Sequence, residues 1–218
     1  MSAKSRKYDI PELIEAQFQA GSRGRVLKNL LGITSVRKMN ICEKDYLIRT
    51  ADDVAALYGP THSFSSADIC AMHKRWLGSI YVWAGQYRNV MMCKNDFPFA
   101  SPEHIPALMR QLERGPLQKY TPCSGKTLAY VVEALAVVHT ELVLIHPFRE
   151  GNGRIARILA TLMALQVGLP PLDFSSMTGG GKGAYIAAVQ AGMVRDYRQM
   201  QSIFESVIRT TLAVHGRR

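Results

Sequence analysis

Twelve residues, His146-Pro-Phe-Arg-Glu-Gly-Asn-Gly-Arg-Ile-Ala-Arg157, separate two apolar helical stretches and dictate how the chain turns between them. Upstream, Lys126 to Leu144 reads as a helix with Leu128, Val131, Val132, Leu135, Val138 and Leu142 on one stripe. His146-Pro147 ends it, because a residue before proline is pushed out of the helical region. Downstream, a second helix buries Ile155, Ile158, Leu159 and Leu162. The Gly151-Asn152-Gly153 turn between them exposes main-chain N–H groups at the positive end of that helix, a ready anion site. Arg154 and Arg157 lie three apart and share a face in its first turn. Glu150 is the hard oxygen ligand that Mg²⁺ takes beside phosphates. His146 is a base that works near neutral pH. Together these are the groups that a metal-bound triphosphate requires.

The rest of the chain also reads as mostly helical. Asp52 or Asp53 is placed to cap a helix through Leu57, closed by Gly59-Pro60. Ser65 or Ser66 opens a long segment, Ala67 to Trp83, with apolar residues at 69, 72, 76, 80 and 83. Residues 88–99 change character and predict a short hairpin with a polar tip at Lys94-Asn95-Asp96; Pro98 puts one arm at an edge. Ser101-Pro102 starts a helix to about Leu112, residues 114–126 form a loop, and Tyr185–Gly192 and Met200–Ala213 make closing helices. Gly179-Gly-Gly-Lys182-Gly fails as a phosphate loop, since Ser176 and Gly183 occupy its required Gly and Ser/Thr positions; it reads as a flexible linker.

At 218 residues the chain suits one domain, and its +10 net charge fits an acidic partner or an ordinary solvated basic surface equally well. Residues 1–40 hold eight Lys/Arg against three acids and read as a basic extension, with Ile10 to Gln19 as a short helix; residues 41–213 form the core. No helix-turn-helix or zinc finger is visible, so direct nucleic-acid binding is not expected. Four unclustered cysteines suit free thiols in a reducing cytoplasm. The longest apolar run, Ile155 to Leu172, is broken by Arg157 and Gln166 and reads as a core helix, so no membrane association is expected.

The sequence resembles the Fic (filamentation induced by cAMP) family, whose signature is H-x-F-x-(D/E)-G-N-G-R-x-x-R. His146, Phe148, Glu150, Gly151, Asn152, Gly153, Arg154 and Arg157 meet every fixed position. The likeness extends over about residues 26–210, through Val26–Ile33, His73–Arg88 and Pro171–Ser175 followed by Tyr185. The resemblance implies an all-α fold, a Fic-type helical core with a small β-hairpin flap beside the active site. It also implies transfer of AMP from ATP to a Ser, Thr or Tyr hydroxyl of a target protein. His146 would be the base. Asn152 and the N–H groups of Gly151 to Gly153 would meet the α-phosphate, Glu150 would hold Mg²⁺, and Arg154 and Arg157 the β- and γ-phosphates. Lys94 and Asn95 resemble the flap's polar tip on the ATP site, and the target would dock on that flap at about residues 90–99. An ordinary edge hairpin explains the same residues equally well. Tyr185 either stacks on adenine or packs in the core, and Phe148 anchors the loop.

Many Fic enzymes carry an inhibitory glutamate within S/T-x-x-x-E-(G/N). No good copy exists here: Ser202 is followed by Ser206 at plus four, and Ser5 by Asp9-Ile10. A toxin restrained by a small antitoxin supplied in trans, as in the family's toxin branch, is therefore the expected arrangement, the alternative being an unregulated or otherwise regulated enzyme. The alternatives are a kinase like the related Doc toxins, a transferase of another nucleotide, and a non-catalytic nucleotide-binding module. Doc-type motifs place Lys where this chain has Gly153 and lack the second arginine, which favours AMP transfer.

Overall fold

The computed structural model describes residues 13–94 and 97–215. Its centre is α5 (Leu128–Ile145), N-capped by Thr127, whose side chain accepts from the Tyr130 N–H. The expected single stripe is too narrow. Twelve of its eighteen residues are buried, well beyond one stripe, because α5 packs against α3 (Ile105–Leu112), α6 (Asn152–Leu165), α7 (Lys182–Ala191) and α8 (Arg198–His215). Of the expected stripe only Leu128, in the first turn, is exposed, at 51%. Among the described residues α5 alone is long and apolar enough to cross a membrane, but 67% of it is buried inside the fold.

Around this axis, α1 (Val36–Leu57) and α2 (Ser66–Leu77) pack on each other and on α6. α1 ends where expected but starts sixteen or more residues before Asp52, at the Ser35 cap. Its buried residues, Met39, Glu43, Thr50 and Val54, are sparse and half of them polar, so the stripe is hard to see in a charged sequence. The expected division at residue 40 falls inside this helix. α2 opens on a reciprocal capping box between Ser65 and Asp68. It stops at Leu77, not Trp83. After Gly78, the run Ile80-Tyr81-Val82-Trp83 is β-branched and aromatic and favours turns here, although Ile80 and Trp83 stay buried.

Two strands, β1 (Cys93–Lys94) and β2 (Phe97–Pro98), pair antiparallel as Cys93↔Pro98 and Lys94↔Phe97. Asn95 lies outside the described residues. Pro102–His104 is a 3₁₀ turn preceding α3; the first part of the expected loop is instead a π turn, Glu113–Leu117, running into α4 (Gln118–Tyr120), and the loop itself begins at 121. The expected linker at 179–183 is likewise ordered: Gly179–Gly181 forms a 3₁₀ turn that starts α7. Of the expected helix over 10–19, the described part holds only a 3₁₀ turn, Ile14–Ala16.

Candidate active site

Where α5 ends, His146 takes a left-handed conformation, φ 53° and ψ 57°. The bend turns the chain back over the helix end. Phe148 plugs into the core with no exposure and stacks on His73 at 3.9 Å. Gly151, at φ +83°, is the N-cap of α6. A Cβ there would lie 2.4 Å from Trp76, so glycine is demanded both by conformation and by the indole. At Gly153 the nearest such contact is Arg157 Nη1 at 3.8 Å, so only there does the absent Cβ leave room in front of the helix end.

A cleft of about 720 Å³ opens over this turn. Its floor is His146, the 149–151 loop and the first turns of α6 with Arg154 and Arg157; one wall is the flap, including Lys94 and Phe99, and the other is α7 with Tyr185. Every described residue of the expected site therefore converges on one cavity. The leading N–H groups of α6, those of Asn152 and Gly153 among them, have no acceptor further up the helix.

His146 is fixed on both sides. Its ring stacks on Phe99 with centroids 3.6 Å apart, and Nδ1 lies 3.1 Å from the Val143 carbonyl. A carbonyl only accepts, so Nδ1 carries the proton and the neutral ring keeps its Nε2 lone pair. Burial pushes its pKa down to about 4, with the Arg88 and Lys94 cations acting in the same direction. The imidazole is a neutral base at physiological pH.

The two arginines differ. Arg154 is already engaged: Nη1 meets buried Glu43 at 2.7 Å, Nη2 meets Glu150 at 3.0 Å, and the guanidinium lies 4.5 Å over the Trp76 ring. Arg157 makes no ion pair among the described residues. Burial holds its pKa below the usual guanidinium range, and neighbouring Arg154 adds to this. A largely desolvated cation with no carboxylate, at the mouth of a helix N-terminus, calls for an anion.

Three residues of the expected site already have partners within the fold. The Asn152 side chain faces the loop and not the α-phosphate: Oδ1 accepts from the Phe148 N–H at 2.8 Å and Nδ2 donates to the Phe148 carbonyl at 2.7 Å. It clamps the turn, leaving its main-chain N–H for the cleft. Tyr185 is half-buried and both core and cleft residue, its hydroxyl 2.9 Å from Nε2 of buried His139. Glu150 uses Oε1 to accept from Gly151 N–H and Arg154. No cluster of three or more His, Cys, Asp or Glu that would hold a metal exists among the described residues. A divalent cation would fit only with most of its ligands drawn from phosphate oxygens and water, the habit of Mg²⁺.

Sequence reasoning missed His73 and Glu43. His73 accepts the Gly85 N–H at Nδ1, 2.8 Å, so Nε2 donates to the Glu150 carbonyl at 3.0 Å and steadies the loop. Its only signal was an imidazole on the apolar face of α2, at position 73 beside Met72 and Trp76.

A family model described as Fic/DOC family matches residues 63–164. The probable protein adenylyltransferase Fic of Escherichia coli K12 is 30% identical over 180 residues, covering 78% of this chain and 86% of that protein. The chain belongs to the Fic/DOC family. Protein adenylyltransferase fic-1 of Caenorhabditis briggsae is 31% identical over 138 residues, covering 63% of this chain; the Fic chain spans only 26% of that relative. Among solved structures, the Bartonella tribocorum BepC protein with bound AMPPNP shares the fold at 24% identity and TM-score 0.71, over 90% of this chain and 97% of that one. A Bartonella quintana Fic domain with bound ADP is 26% identical with TM-score 0.68, over 87% and 92%. The helical core, hairpin and signature loop are thus those of a Fic domain.

Proposed function

We propose that this Fic protein is a protein adenylyltransferase that moves AMP from ATP onto a Ser, Thr or Tyr hydroxyl. One observation carries the reading: a neutral imidazole with a free Nε2 shares its cleft with an uncompensated arginine and a helix N-terminus. The first suits deprotonation of an alcohol, the others a polyphosphate, and a simple binding module would need only the latter. The E. coli and nematode relatives named as protein adenylyltransferases agree with it.

In this reading the hydroxyl oxygen attacks the α-phosphorus as Nε2 of His146 takes its proton. The bond from the α-phosphorus to the bridging oxygen breaks, and pyrophosphate leaves. N–H groups of Asn152 and Gly153 receive the developing charge, joined by that of Gly151 once Glu150 Oε1 releases it. Arg157 holds the γ-phosphate; Arg154, once Glu150 releases Nη2, reaches the β-phosphate by the same fork. Mg²⁺ held by Glu150 and the phosphates would neutralise their charge. Lys94 would border the nucleotide from the flap and Tyr185 would border the base; the expected part of Asn95 lies outside the described residues. The target would add a strand along the exposed hairpin.

The free Arg157 also bears on control. No acidic residue among those described covers it, which supports restraint in trans by an antitoxin glutamate. Four free cysteines suit a reducing, cytoplasmic setting.

The test uses ATP labelled at the α- or γ-phosphate, with Mg²⁺ and host lysate. Label on protein from the α position, lost with His146→Ala, is expected; label from γ would mean a kinase, and none a binder. Expression alone should arrest growth if an antitoxin is normally present.

A further inference from the structure

Arg88 is 1% exposed, and the chemistry above leaves it no task. All its side-chain bonds go to main-chain carbonyls: Nε donates to His146 at 2.8 Å, Nη1 to Val90 at 2.6 Å, Nη2 to Ala100 at 2.6 Å. Its own N–H donates to Pro147 at 2.9 Å. Val90 and Ala100 bracket the flap just outside its last main-chain bond, from Phe99 N–H to the Met92 carbonyl. His146 is the left-handed residue at the end of α5. One planar guanidinium therefore touches both roots of the flap and the backbone of the base.

A buried cation without a direct ion pair is costly to keep. Burial pulls the Arg88 pKa down, offset through space by buried Glu15, which accepts the Asn89 N–H at 2.6 Å. An apolar side chain would fill the same space at lower cost, so filling space does not explain the residue. Three carbonyls in fixed directions do: only a guanidinium offers that many coplanar donors, whereas an ammonium is a single point.

We propose that Arg88 is a positioning residue that locks the flap to the His146 backbone. A strand docked on the hairpin is then held in fixed register with the imidazole. The catalytic half of this inference rests on the adenylyltransferase reading; the locking half does not. His146 would also depend on the lock for its left-handed conformation, which is held by tertiary contacts and not by local preference.

The test compares wild type with Arg88→Lys and Arg88→Met. Hydrogen exchange over residues 90–100 should accelerate by about tenfold or more in both variants, with the α5 core unchanged, since the flap loses its anchor and little else. Self-labelling from α-labelled ATP and Mg²⁺ should fall about 10²-fold at saturating ATP through misplacement of the base. Affinity for a fluorescent ATP analogue should move less than about threefold, because Arg88 touches no phosphate site. A role in folding alone would move binding and core exchange with it. Flap exchange unchanged in the folded variants overturns the proposal. Should both variants unfold, the wild-type Arg88 Nε–H decides: slow exchange by ¹⁵N NMR is expected, and rapid exchange overturns the lock. Wild type with a protected flap but no labelling would sink the adenylyltransferase reading and leave the lock standing.

Discussion

The signature loop and the flap face each other across one cleft, yet they are built to opposite specifications. The loop is pinned from every side: Asn152 clamps Phe148, His73 holds the Glu150 carbonyl, Arg88 holds that of His146, and Phe148 is buried to zero exposure. The flap has two residue pairs, exposed Cys93, Lys94 and Pro98, and one buried ring, Phe99, which lies against His146. Proton transfer requires atoms held to fractions of an ångström, whereas an edge strand that recruits a partner must leave its own backbone groups open. The difference fits the proposed division, with chemistry at the loop and recognition at the hairpin.

The strongest attempt to break this contrast is His146→Ala. AMP transfer should fall by about 10²–10⁴, the usual worth of a general base, with nucleotide binding retained. Single-turnover kinetics beside a binding titration would show it; equal loss of both would place His146 in binding. The same residue carries a pH signature. His73, His139 and His146 are all pushed down to about 4 by burial, below the ordinary 6.5 of an imidazole. The unfolded chain therefore binds protons in that interval that the folded one refuses. Stability should rise with pH between about 4 and 6.5 and be insensitive to these groups above 7, and His146→Ala should remove about one proton from the slope. Melting temperature against pH measures it. In kcat/KM no limb is expected near pH 6.5; one appearing there would mean a protonatable, solvated imidazole.

Next in size is Gly151→Ala. Left-handed backbone and the Trp76 contact together should cost about 2–4 kcal/mol in denaturant unfolding. Gly153→Ala, in open helical surroundings, should leave stability nearly unchanged, and equal losses at both would show that the loop is not pinned at Gly151 by the Trp76 contact. Arg157→Gln should weaken ATP binding by about 10–100-fold, from lost charged hydrogen bonds of roughly 1.5–3 kcal/mol. Without nucleotide its melting temperature should hold or rise, because a desolvated cation has been removed. A lower one would reveal an intramolecular partner. Smallest is Lys94→Ala on the flap, where an exposed charge contributes about 0–1 kcal/mol, under about fivefold in ATP affinity by calorimetry.

Sequence reading reached the loop because its demands are local. A residue before proline, glycines around an asparagine and two arginines three apart constrain backbone and charge within twelve positions. The helical periodicity of 126–145 and 152–165, the hairpin at 93–98 and the capping serine at 65 are local in the same way. Less was legible where the signal depends on what lies opposite. α1 hid behind charges because its buried face is thin, and α2 ended early because Gly78 and a β-branched run yield to packing, not periodicity. Asn152 looked like a phosphate ligand because nothing in the sequence says which way its amide points.

Residue order alone determined that an imidazole, a glycine-bracketed turn and two arginines would sit between two helices, since those features need only neighbours in the chain. The tertiary structure decided that Arg154 is held by Glu43 from 111 positions away while Arg157 is left unpaired. It also brought His73 beneath the loop and joined both flap roots to His146 through Arg88. Those choices depend on directed contacts and desolvation between distant segments, and no local pattern encodes either.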